Sequence, residues 1–574
     1  MEFRVWAPSA RRLELDLGGD RKAMRQDGEW WRLDVPSAGP GTDYAFAVDG
    51  GEPLPDPRSP WQPAGIQGPS RVVDHGAFRW TDAGWRPPAM ASGVVYELHV
   101  GTFSPEGTFD GARARLDHLA SLGVSHVELM PVAEFSGDRG WGYDGVDLFA
   151  PKSTYGGPDA LKRFVDACHH RGLAVVLDVV YNHLGPVGNH LDRFAPYFTR
   201  RHCTPWGPAV NLDEAGSDEV RRFFCDNALG WLRDYHFDAL RLDAVHALID
   251  QSAVHFLEQL AMEVEVLERA LGRPLVVIAE SDLNDARLVR SREQGGFGLH
   301  AQWSDDFHHA LHAFLTGQTD GYYADFGRLA DVAKALERVF VFDGQYASHR
   351  GRRHGRPVGD LPRSRFLGYM QNHDQVGNRA RGERSAHLIA EGPLRAAAAL
   401  VLLGPFVPLI FQGEEWGTQA PFQYFTDHRE PELAEAVRSG RRREFAAFGW
   451  DPASVPDPQD EETFLRSKLP WDELGRDRHR ALLEWHRTLI GLRRSTPSLS
   501  DASPSATRVR FDEQRRWLAM DRGEVTVVCN FTDARQRVPL ESGRPRQVLA
   551  ACVHPALDAD TVEMDPGAIV LGPA

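Results

Sequence analysis

The sequence predicts an α/β protein: a (β/α)₈ barrel with one β-sandwich before it and another after it. Three observations lead there. Between Val94 and Arg494, buried-type apolar runs alternate with amphipathic helical stretches, the pattern of parallel βα units. Residues 1–88 and 501–574 instead carry short alternating runs punctuated by Gly, Pro and Asp, as antiparallel sheets do. The apolar runs of the middle region also end repeatedly in acids, His and Asn, which is where a barrel keeps its active residues.

Taken in order, the first region offers strands at Phe3–Pro8, Leu13–Leu17, Trp30–Val35 and Tyr44–Val48. The Pro-rich stretch Pro53–Pro69 and the Trp85–Pro88 segment read as a lid or linker leading out of it. The barrel then begins with a strand at Val94–Val100, a helix over Gly111–Leu122 and a strand at His126–Pro131. A long loop holding Gly140–Asp144 precedes the helix Pro158–Arg171 and the strand Ala174–Val180. The helix Asp218–Tyr235, the strand Phe237–His246, the helix Ser252–Leu271 and the strand Leu275–Glu280 continue the alternation. Strands near Ala301–Trp303, at Phe366–Gln371 and at Val407–Gln412, then the helix Arg478–Arg494, complete about eight units. From Asp501 the β pattern returns at Arg508–Phe511, Trp517–Met520, Val525–Phe531, Arg546–Leu549 and Ala568–Leu571. The expected domains are therefore 1–88, 89–500 and 501–574.

Composition narrows the function classes. A chain of 574 residues is too long for one core. With 65 basic and 81 acidic residues the net charge is −16, and no basic tract occurs, which argues against nucleic acid or an anionic membrane as partner. Five cysteines, an odd number without metal-type spacing, do not describe a disulfide framework. The opening Met-Glu-Phe-Arg-Val-Trp is unlike a signal peptide, and no apolar run reaches the roughly 18 residues a membrane span needs. A soluble cytoplasmic protein is expected.

The stretch Phe237–His246 organises the candidate site. Residues two apart in a strand face the same side, so Arg241 and Asp243 point into one space. The guanidinium then keeps the Asp243 carboxyl ionised, which suits a nucleophile, although such a pair can also be purely structural. Further strand ends supply Asp178 to His183, then Glu280, then Gln371-Asn372-His373-Asp374-Gln375. Asp178 reads as a structural residue holding a loop. Singly, His183 and His373 read as satisfied polar residues; together with three carboxylates they read as catalytic. Asp243, Glu280 and Asp374, with Arg241 and two His and no phosphate loop, describe glycoside chemistry. One carboxylate attacks the anomeric carbon and another protonates the leaving oxygen, a retaining pair lying about 5–5.5 Å apart. Neighbouring strands, about 4.8 Å apart, can provide that gap. Glu280 must then hold a proton, through burial or a nearby acid, and Asp374 is placed to serve as that acid.

The four segments Asp178–His183, Phe237–His246, Ile278–Ser281 and Gln371–Gln375 resemble the signature regions of the α-amylase superfamily, glycoside hydrolase family 13. That family is built on a (β/α)₈ barrel and works with retention. The resemblance implies Asp243 as nucleophile, Glu280 as general acid/base and Asp374 as transition-state stabiliser. It further implies that Arg241, His183, His373 and a stacking Tyr143 surround the sugar at the cleavage subsite. His246 falls on the leaving-group side, and Gln375 is taken as a further substrate contact. Asn182 matches a calcium position of many α-amylases, but no further ligand set accompanies it, so no metal and no cofactor are expected.

An amino-terminal sandwich ahead of the barrel resembles isoamylases, glycogen-branching enzymes and maltooligosyltrehalose trehalohydrolases. The stretches Leu240–Ala247, Ala301–His309, Asn372–Arg379, Phe411–Trp416 and Pro421–His428 look most like those of the trehalohydrolases. That resemblance implies hydrolysis of the α-1,4 bond next to a terminal trehalose unit, with maltooligosyltrehalose and related α-glucans as substrates and a maltooligosyltrehalose synthase as functional partner. The loops Ser304–His309 and Gln423–His428 are the candidates for reading the α,α-1,1-linked end. A branching enzyme would share the catalytic trio, but a Glu is expected there where Gln375 stands. A non-catalytic glycan-binding protein would not need all three carboxylates.

Overall fold

The computed structural model describes residues 1–446, 454–541 and 546–574. Its centre is a closed barrel of eight parallel strands. They are β1 Val95–Leu98, β2 His126–Leu129, β3 Ala174–Val179, β4 Ala239–Leu242, β5 Val276–Ala279, β6 Ala301–Trp303, β7 Phe366–Tyr369 and β8 Val407–Phe411. Each pairs with the next, and β8 closes on β1.

Alternation along the strands divides the barrel interior into layers. Val95, Val176, Ala239, Ile278 and Leu409 form an apolar layer, each aliphatic side chain of valine size or larger contributing about 1.5–3 kcal/mol by burial. Two residues on, toward the C-terminal ends, the same faces carry Glu97, Asp178 and Arg241, and Glu128 on β2 stands opposite Glu97. All four are buried, so the apolar plug supports a polar floor beneath the cleft.

Two sheets precede the barrel. One holds Glu2–Trp6, Trp30–Asp34 and Arg25–Asp27; the other is built on Leu13–Leu17 and Asp43–Val48. They dock through edge-on aromatic pairs, Trp6 on Tyr197 at 5.5 Å and Phe46 on Phe194 at 6.5 Å between centroids. The Pro53–Pro69 stretch is neither lid nor linker. Asp56 is buried there, accepting the Tyr44 hydroxyl at 2.8 Å while its N–H reaches Ser70 Oγ at 2.9 Å, and Gln62 is fully buried.

After the barrel come a five-stranded sheet and a three-stranded sheet, all antiparallel. The larger rests on the helix Glu391–Leu403, where the Cys529 thiol meets the Ala396 carbonyl. All five cysteines are unpaired. Among the described residues no helix is long and apolar enough to cross a membrane.

Three departures from the expected elements stand out. The helix expected over Gly111–Leu122 is two short helices, Phe109–Arg113 and Leu116–Leu122, parted at Arg115, which has left helical geometry (φ −104°, ψ 0°). The first is set by Thr108, whose hydroxyl caps the Gly111 N–H; the second is set by burial of Leu116, Leu119 and Leu122. The helix expected from Ser252 begins at Phe256, because Asp250 and His255 accept the first two N–H groups. A hairpin of Phe198–Thr204 and Gly207–Val210 stands in the loop after β3, where none was foreseen.

Candidate active site

A cleft of about 400 Å³ opens at the C-terminal ends of the strands, lined among others by Tyr143, His183, Arg241, Asp243, His246, Glu280, His373 and Asp374. Asp243 and Glu280 each follow the last residues of neighbouring strands, where Leu242 pairs with Ala279. Just past Asp243 the chain turns through Ala244 in a left-handed conformation (φ 39°, ψ 50°), a region L-residues enter rarely. That turn aims the Ala244 N–H at the Glu280 carboxylate, 2.5 Å away.

Arg241 ties the acids together. Its Nη1 lies 2.8 Å from Asp243 and 2.7 Å from Asp178, its Nη2 3.7 Å from Glu280, and its guanidinium 4.3 Å over the Trp303 ring. Asp178 therefore holds Arg241 and, through the Tyr143 hydroxyl at 2.7 Å, the Gly140–Asp144 loop as expected. Tyr143 lays one face on the His373 ring at 5.2 Å and 24°.

Burial pushes the Glu280 pKa well up; Arg241 opposes this, while Asp243 and Asp305 add to it. Asp374 was expected to be the acid that raises Glu280; the acids acting most on it are Asp243 and then Asp305. Asp305 is itself raised to about 7 by burial and takes the Tyr369 hydroxyl in a short hydrogen bond. Asp374 is also raised by burial, against His373 and Arg241, and the Asn378 amide donates to it at 2.5 Å. His183 is lowered by burial and is therefore neutral at neutral pH.

Two expected substrate contacts lie elsewhere. Gln375 does not face the cleft: it is buried, its side-chain carbonyl accepting Tyr323 at 3.5 Å. Ser304–His309 is no loop but the start of the helix Asp305–Thr316, with Asp306 and His308 buried behind the site. Of Gln423–His428, Tyr424 and Thr426 do reach the cleft. Among the described residues no cluster of His, Cys, Asp and Glu could hold a metal ion.

The family model "Alpha amylase, catalytic domain" matches residues 75–197, and the model "Domain of unknown function (DUF3459)" matches residues 503–571. The chain is 53% identical to the malto-oligosyltrehalose trehalohydrolase of Arthrobacter ramosus, over 94% of each chain. It is 50% identical to that of Rhizobium sp. (strain M-11), over 98% of this chain and 96% of the relative.

The chain belongs to the malto-oligosyltrehalose trehalohydrolase family.

A solved Salmonella typhimurium protein described as an alpha amylase superposes with a TM-score of 0.90 at 38% identity, over 100% of this chain and 97% of the other. In this trehalohydrolase-family cleft the residue that sequence reading missed is Trp206. It stands at the tip of the unforeseen hairpin, 48% exposed, stacked flat on His183 at 5.0 Å and 10°. A Trp between the turn-forming Pro205 and Gly207 was the available signal. Trp141, packed against Tyr424 at 5.2 Å, also lines the cleft and sits in the Gly140–Asp144 stretch without having been singled out.

Proposed function

We propose that this chain is a retaining glycoside hydrolase that cleaves the α-1,4 bond next to the terminal trehalose of maltooligosyltrehalose. One observation carries the reading: two near-full-length relatives with that name at 50% identity or more, joined to a cleft in which Arg241 spans Asp243 and Glu280. Asp243 attacks the anomeric carbon of the maltooligosaccharide. The bond to O4 of the trehalose unit breaks, its electron pair goes to that oxygen, and Glu280 delivers the proton, freeing trehalose. Water then attacks the same carbon, returns a proton to Glu280 and releases Asp243. Asp374 faces the positive charge that develops on the ring, Arg241, His183 and His373 contact the sugar at the cleavage subsite, Tyr143 lies beneath it and His246 is on the leaving side. Gln375 supports this arrangement from behind.

Cleavage does not create the α,α-1,1 linkage, so the reading includes a maltooligosyltrehalose synthase that supplies the substrate. It also divides the chain at 1–88, 89–500 and 501–574, with the middle part catalytic. We place the enzyme in the cytoplasm, in keeping with five free cysteines.

Product chromatography with maltooligosyltrehalose and plain maltooligosaccharide, offered separately, tests the reading. Fast release of trehalose from the first and slow cleavage of the second are expected. New α-1,6 branches without trehalose would move the chain to the branching enzymes.

A further inference from the structure

Two acids in the polar floor beneath the cleft take no part in the reaction above. Glu97 and Glu128 stand opposite each other on β1 and β2, 1% and 0% exposed. A carboxyl group so deep must either find partners or take up a proton. Glu128 takes the second course: neither oxygen has a hydrogen-bond partner, and burial, with Glu97 and Asp178 nearby, pushes its pKa well up.

Glu97 takes the first course, and both its oxygens go to one residue. Oε2 accepts the backbone N–H of His373 at 3.0 Å, and Oε1 accepts the ring Nδ1 in a short hydrogen bond. The other ring nitrogen, Nε2, meets the Tyr143 hydroxyl at 2.7 Å. That hydroxyl donates its hydrogen to Asp178, so it can only accept from His373. Both ring nitrogens therefore carry protons. Burial and Arg241 act against a charged ring, but Glu97, with a smaller contribution from Asp374, reverses this and the pKa of His373 is raised. The other ionisable groups around the ring are His99, Tyr143, Asp178, Asp374 and Arg241. Burial holds His99 down at about 3, so it brings no positive charge.

We propose that Glu97 is a positioning residue for glycoside cleavage, acting through His373: it fixes the backbone and ring at the end of β7 and keeps that ring a cation facing the cleft through Tyr143. The inference rests on the reading of His373 and Asp374 as part of the reacting site. It gives that site two cations, Arg241 and His373, set among Asp178, Asp243 and Asp374, and it makes the second depend on an acid that never meets the sugar. It also fixes Asp374, because the N–H that Glu97 holds belongs to the preceding residue.

The test uses the full chain with Glu97→Gln, which has the same shape without the charge, and Glu97→Asp, which restores the charge at shorter reach. On maltooligosyltrehalose, Glu97→Gln should lower kcat at least tenfold with KM changed less than threefold, and Glu97→Asp should recover part of that loss. Added to His373→Gln, the Glu97→Gln change should cost less than twofold more. In protein labelled with ¹³Cε1-histidine, the His373 resonance is the one missing from His373→Gln. Its titration should move down by at least one pH unit in Glu97→Gln. A Glu97→Gln enzyme with normal kcat and an unmoved His373 titration, or a fully additive double variant, would overturn the proposal. A wild-type chain inert on the substrate would instead remove the proposed function, while the NMR titration would still report whether Glu97 charges His373.

Discussion

Arg241 Nη1 touches Asp243 Oδ1 at 2.8 Å, two residues on and just past the end of its strand, and the same nitrogen holds Asp178 on the neighbouring strand at 2.7 Å. One buried cation thus serves two carboxylates, while its other nitrogen lies 3.7 Å from a third, Glu280. The planar guanidinium makes this sharing possible where an ammonium could not match it. The chemistry of the cleft follows from that fork.

Removing either partner in the reaction should be severe. Asp243→Asn and Glu280→Gln should each fold, with thermal melting near that of the wild type, and lose kcat by about 10⁴-fold and about 10²–10⁴-fold respectively. Steady-state rates with melting curves as a control check this. Retained turnover in Asp243→Asn would refute the assigned nucleophile.

The pH dependence follows from Glu280. Its pKa in the fold is raised by burial, so the proton needed for the leaving oxygen is present below that raised value and lost as pH climbs through it. kcat/KM for maltooligosyltrehalose should therefore hold well above the ordinary glutamate value of 4.5 and fall on the alkaline side. An α-glucosyl fluoride, whose leaving group needs no proton, should show a weaker fall. A decline already complete near pH 5 would contradict the assignment.

Trp206 offers an exposed ring over the cleft while its flat contact with His183 fixes its tilt. Trp206→Ala should raise KM by about tenfold, or about 1.4 kcal/mol, with kcat within a fewfold of normal. Initial rates across substrate concentration decide it: an unchanged KM would show that sugars do not use this face.

The linker to the barrel is pinned by a buried histidine. His169 lies 2.9 Å from Asp82 and 3.0 Å from Asp238, with Trp85 stacked on it at 4.5 Å; His236 also meets Asp82, and Arg273 meets Asp238. Burial lowers the His169 pKa, but the two carboxylates more than reverse this, so it is raised above 6.5. A histidine raised in the fold adds stability that is complete below about 6.5 and is lost as pH rises through the higher folded value. His169→Ala should cost about 3 kcal/mol at pH 6, the low end for a broken buried pair since both acids keep a second partner. The deficit should shrink at pH 9. Chemical denaturation at the two pH values measures both numbers.

Much of this was legible because barrel strands announce themselves twice, by an apolar run and by the acids that end it. Asp243, Glu280 and Asp374 sit at such ends, and so does His183. Glu97 did not stand out, being one acid inside the apolar run Val94–Val100, and its partner His373 is 276 residues away. Asp305 stood within the Ser304–His309 stretch, but its action on Glu280 was not legible, and Tyr369, which bonds to it, lies 64 residues on. Gln375 was placed in the cleft with the motif that holds His373 and Asp374. It lies in a helical turn, where each step rotates the side chain by about 100°, so the residue after the cleft-lining Asp374 points into the protein.

The most direct measurement is a ¹H NMR time course of maltotriosyltrehalose cleavage, read before the new reducing end equilibrates. The account requires trehalose and α-maltotriose as first products, because attack by Asp243 and then by water inverts the anomeric carbon twice. A first product in the β form, or glucose released from the far end with trehalose still attached, would contradict it.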